Sequence, residues 1–160
     1  MSHPTLGLPP RDLGAGQPAA AAALVAAQGR LAGRALEGAV ALDQTFRERY
    51  DELALRALLA DLNALVGMLA KSVASADAAV MARWAEMVAV RFRKRAVPMD
   101  DVVTLCEAVR RAAPSVVSPD AMPAIDVGLD AAIAALRWHR RLAGDARKRN
   151  PLLAFLYKGA

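Results

Sequence analysis

The chain has 160 residues, 56% of them hydrophobic but only 4% aromatic, with one cysteine and a net charge of +5. That length suits one domain able to bury a core without staples, and a single cysteine excludes an internal disulfide and a thiol-rich metal site. Much of the hydrophobic share is alanine, which favours closely packed helices. Asn-Gly and Asp-Gly hairpin signals between apolar runs are absent. The expectation is therefore an all-α chain, a helical bundle of about five helices with no strands.

Residues 1–18 hold four of the nine prolines together with Gly7, Gly14 and Gly16, a composition that cannot sustain a regular helix, and they read as a flexible arm. The bundle is expected over residues 19–144. Its first helix spans roughly 19–48 and is weakly patterned, because alanine suits core and surface alike; Gly29 and Gly33 read as places of close helix approach. Continuity with a kink is expected through 46–51 into the second helix. There Leu55, Leu58, Leu59, Leu62, Leu65, Val66 and Leu69 recur at the spacing that stacks side chains on one helix face.

Residues 72–77 should break the chain, with Ser75 or Asp77 capping the next helix. That third helix reaches about Lys94, with Val80, Trp84, Met87 and Val88 on its inner face. It closes in the cations Arg91, Arg93, Lys94 and Arg95, where the helix dipole is negative. After Pro98, Asp100 and Asp101 open a fourth helix whose Val102, Leu105, Cys106 and Val109 share a face, and Pro114 ends it. Ser118 and Pro119 start the fifth, with Pro123 delaying or bending its first turn; Ile125, Leu129, Ile133 and Leu136 form its buried stripe, and Gly144 terminates it.

Residues 145–160 form a basic linker and an apolar tail. Arg147, Lys148 and Arg149 precede Asn150-Pro151, and then Leu152, Leu153, Phe155, Leu156 and Tyr157 crowd into one short stretch. Such a segment suits docking on another chain, folding back to close the bundle, or contact with a membrane surface.

Candidate chemistry is sparse. His139 has no second histidine in the bundle, since His3 lies in the arm, so neither a catalytic nor a ligand pair arises. Cys106 reads as packing. Asp126 and Asp130 share a face in the first turns of their helix, where the dipole favours negative charge. The glycines match no phosphate-binding loop. No cofactor or metal is expected, nor an enzymatic activity. The apolar stretch at 19–27 is too short to span a bilayer and no secretory leader is apparent, which leaves the cytoplasm.

The stretch 50–139 carries a leucine-striped helix, a second helix ending Arg91-Phe92-Arg93-Lys94-Arg95, and Val97-Pro98-Met99-Asp100-Asp101-Val102-Val103 opening a third. In this it resembles the N-terminal regulatory domains of the RsbR-type stressosome proteins. The resemblance implies a globin-like, haem-free helical fold and a non-enzymatic sensory or dimerisation role. Such domains are usually fused to an output domain, and these 160 residues contain none. The leading expectation is a protein interaction or regulatory module, able to form a homodimer, whose tail residues Leu152, Leu153, Phe155, Leu156 and Tyr157 dock to a larger assembly. The alternative is a nucleic-acid or anionic-surface binder using Arg91, Arg93, Lys94, Arg95, Arg147, Lys148 and Arg149.

Overall fold

The structure is a computed structural model that describes residues 16–143. All its regular structure is helical, and no strand occurs among the described residues. Among the described residues there are seven α-helices rather than about five: α1 (Pro18–Ala26), α2 (Gln28–Leu42), α3 (Phe46–Arg49), α4 (Glu52–Ser75), α5 (Ala79–Lys94), α6 (Met99–Ala112) and α7 (Met122–Ala143). The flexible arm expected over residues 1–18 lies outside the described residues except for its last three, of which Pro18 already opens α1.

The two extra helices come from the segment expected as one long kinked helix. Ala27 leaves helical geometry after α1, and the Gln28 side chain donates to the Asn63 carbonyl at 2.6 Å, pinning the junction to α4. At the end of α2, Asp43 turns extended, and its carboxylate accepts from the Thr45 amide at 3.1 Å and from the Thr45 hydroxyl. Such local bonds compete with a continuing helix. One turn later Tyr50 is extended again, and Asp51 caps α4 by accepting from the Ala54 amide at 2.8 Å.

The leucine stripe of α4 packs as expected: Leu58, Leu62, Leu65, Val66 and Leu69 are buried, and Leu55 and Leu59 half-buried. By length and composition α4 is also apolar enough to cross a membrane; in the bundle its buried stripe packs against other helices. α5 begins where Asp77 accepts from the Ala79 amide at 2.9 Å, and it ends at Lys94 as the sequence indicates. Its inner face is Met81, Trp84, Ala85, Val88, Ala89 and Phe92. Met87, expected inside, is 67% exposed, because the true stripe runs one residue further round the helix.

α6 buries Val102, Leu105, Cys106 and Val109, and α7 buries Ile125, Leu129, Ile133 and Leu136, both as expected. The Ser118 side chain makes no capping bond; Pro119 instead opens a 3-10 turn (Pro119–Ala121), and α7 starts at Met122 with Pro123 in its first turn. Close approach falls at glycines other than Gly29 and Gly33: Gly16 lies against the Ala74 carbonyl, where a Cβ would clash, and Gly128 lies at a helix crossing. A Cβ at Gly33 would meet nothing and one at Gly29 only Asn63 at 3.9 Å, whereas one at Gly128 would come within 3.1–3.4 Å of Leu69, Ser72 and Met81. There α7 crosses α4 and α5.

Polar contacts fix the directions. Asp61, early in α4, meets Arg91 and Arg95 at the end of α5, so these two helices are antiparallel. Arg93 donates to the His139 carbonyl at 2.7 Å, which sets α7 parallel to α5. α6 runs against α7, tied by Asp100 to Arg140 at one end and by Arg110 to Asp126 and Asp130 at the other. α1 lies along α4, with Gln17 donating to the Val73 carbonyl at 2.9 Å near one end and Gln28 at Asn63 near the other.

Candidate functional site

Two features stand out once the fold is built: an open apolar groove and a buried ionic hub. The groove has a volume of about 900 Å³ and lies between α1, α4 and α5. Small residues line it, among them Ala21, Ala22, Ala64, Gly67 and Ala74, together with Val25, Met68, Met87 and the buried Trp84. It arises because α1, PAAAAALVA, is apolar on every side yet only its Ala21 and Leu24 are buried. Val25 is 56% exposed, and with Met87 it leaves a continuous apolar surface facing water. The charged residues lining the groove are Lys71 and Arg91, both cations.

The hub joins the α2–α4 connection to the start of α6. Asp101 is 1% exposed. Its carboxylate accepts from Arg49 through Nε at 3.2 Å and Nη2 at 3.1 Å, and from the Tyr50 hydroxyl at 2.6 Å. Arg49 also reaches Asp43 at 3.0 Å, bonds the Thr45 hydroxyl, and lies over the Phe46 and Tyr50 rings at 5.0 and 5.8 Å. Burial and then the Asp101 hydrogen bond push the Tyr50 hydroxyl pKa well above its ordinary value, and the Thr45 hydroxyl followed by Arg49 holds Asp43 well below the carboxylate range. Burial works against the charge on Arg49, but Asp43 and Asp101 outweigh it and raise its pKa. Every member is occupied by another, as in an ion network that ties elements together.

The basic residues of the sequence fall into two groups. Arg91 and Arg95 share Asp61, Arg91 at 2.8 Å, and Arg93 is held at the His139 carbonyl. Lys94 is exposed and has no ion pair among the described residues. Much of this cluster thus serves α4–α5 and α5–α7 packing, and only Arg91 also faces the groove. Arg147, Lys148 and Arg149, with the tail residues Leu152, Leu153, Phe155, Leu156 and Tyr157, lie outside the described residues.

Asp126 and Asp130, read as helix-dipole partners, lie beyond the first turn of α7, which holds no acidic residue, and instead pair with Arg110 across the α6–α7 contact, at 3.5 Å for Asp126. Glu107 completes the cluster at 3.2 Å from Arg110. The Cys106 thiol is fully buried, and burial, then the charge of Glu107, pushes its pKa to about 12, the state of a packing thiol rather than a nucleophile. Among the described residues no three His, Cys, Asp or Glu side chains gather to hold a metal ion.

The groove was not legible in the sequence. The signals that could have found it are a helix apolar all round and an apolar residue, Met87, one step outside the α5 stripe. No family model, curated protein or solved structure matches the chain.

Proposed function

We propose that this chain is a non-enzymatic protein interaction module of regulatory type that works by docking partners in the cytoplasm. The observation that carries this reading is the open apolar groove between α1, α4 and α5, about 900 Å³ with Val25 and Met87 exposed at its mouth. A groove lined by exposed apolar side chains offers a partner's apolar face a place to be buried. Among the described residues, Cys106 is sealed in the core, and the buried carboxylates Asp61 and Asp101 are held by arginines. The resemblance to RsbR-type regulatory domains, with their globin-like fold and dimerisation role, points the same way.

The C-terminal stretch, Leu152, Leu153, Phe155, Leu156 and Tyr157, is a second docking element in this reading, grafting the module onto a larger assembly. The test is affinity capture from native lysate with the full chain and with a chain ending at Asn150, with light scattering on both. The shortened chain is expected to remain folded, keep its oligomeric state and lose a partner. A change in oligomeric state or solubility instead would assign the tail to the fold.

A further inference from the structure

The groove's lining specifies its occupant. We infer that it receives an amphipathic helix of another protein, one whose apolar stripe is flanked by aspartate or glutamate; this rests on the interaction-module reading and gives it a site. The groove is open rather than enclosed, so a small ligand would leave much of its surface wet. A helix is about 10 Å across and can lay one face into a trough. The small lining residues Ala21, Ala22, Ala64, Gly67 and Ala74 let its backbone come close, while Met68 and Met87 are unbranched and reshape around whatever side chains arrive.

Charge selects among occupants. Lys71, in no ion pair among the described residues, and Arg91, which also holds Asp61 at 2.8 Å, line the groove; α1 contributes no charge, and among the described residues no acidic one lines it. Acidic positions along a docked helix would meet those cations. The chain's own apolar tail is the wrong occupant, because Arg147, Lys148, Arg149 and Lys158 bracket it and would set like charge against like. A second copy placed groove to groove fails for the same reason, since a two-fold contact sets this cation-lined surface against an identical one that offers no acidic lining residue.

The test is a selection of displayed random-sequence peptides on the full chain, with Met87→Glu and Lys71→Glu chains as counter-targets. Both substituted residues are exposed, so thermal melts equal to that of the native chain are expected to confirm folding, and either variant alone suffices. Enriched peptides should carry apolar residues at i, i+3, i+4 and i+7 with acidic neighbours. They should bind Met87→Glu or Lys71→Glu at least tenfold more weakly, and weaken as salt rises. Enrichment of basic or uncharged peptides, unchanged binding to both variants, no enrichment, or binding of dodecanoate in place of peptides would each overturn the assignment. Loss of the native partner on truncation at Asn150 would leave the broader module reading standing even then.

Discussion

Two adjacent aspartates show how position, not residue type, sets the worth of a charge. Asp100 sits half-exposed and pairs with Arg140 at 2.7 Å, while Asp101, the next residue, is sealed beneath Arg49 and Tyr50. The surface pair competes with water and salt, so Asp100→Asn should cost under about 1 kcal/mol. Asp101→Asn leaves Arg49, itself only 24% exposed at its side chain, beside a neutral group in a site built for a carboxylate. Removing one partner of a buried pair costs about 3 kcal/mol. Urea unfolding of the two variants beside the native chain checks this, and equal losses would show the hub to be no more than a surface contact. From the sequence both residues read as helix-opening acids, and that role is real for both, at the first turn of α6. The deeper role of Asp101 was hidden because its partners stand 51 and 52 residues away in a segment read as helix.

At the scale of elements, the chain stops α4 with alanine where glycine is the usual choice. Ala76 ends α4 at φ 50°, ψ 31°, and Ala96 follows α5 at φ 56°. A left-handed alanine costs about 1 kcal/mol that glycine does not. Ala76→Gly should therefore raise stability by about 0.5–1 kcal/mol, whereas Ala60→Gly, on the exposed side of the middle of α4, should lower it by about 1 kcal/mol. Opposite signs in thermal melts of the two variants would confirm it; equal losses would mean that the α4 end is not set by backbone strain. Legibility followed the same physics. α5, α6 and α7 could be read because Pro98, Pro114, Pro119 and strong apolar stripes punctuate them. α1, α2 and α3 merged in the reading because an alanine-rich stretch has no contrast between inner and outer faces, and because breaks made by the Asp43 and Asp51 side chains look, in sequence, like ordinary charged helix positions. Glycine was misleading for a related reason: Gly33 faces open space, and Gly128 carries the close crossing.

For the whole molecule, the described ionisable groups confine stability to a broad plateau with different residues guarding each edge. On the acid side, Asp43 is held below its ordinary 3.8 by Thr45 and then Arg49. A depressed pKa means that its contribution is present above 3.8 and lost as pH falls through that value towards the folded one. On the alkaline side, burial raises Cys106 from 9.0 to about 12, and burial with the Asp101 bond raises Tyr50 above 10.0. Raised values mean that stability is complete below the unfolded pKa and drains away as pH climbs, for Cys106 between 9.0 and about 12. Those two values correspond to about 4 kcal/mol for Cys106. Melting temperatures measured across pH should form a plateau that falls at both ends. Cys106→Ala should shallow only the alkaline fall and Asp43→Asn only the acid one, because the two sites sit in different parts of the bundle, one inside α6 and one at the α2 end. A Cys106→Ala chain that loses melting temperature between pH 9.0 and 12 in parallel with the native chain would show that some group other than the buried thiol governs the alkaline edge.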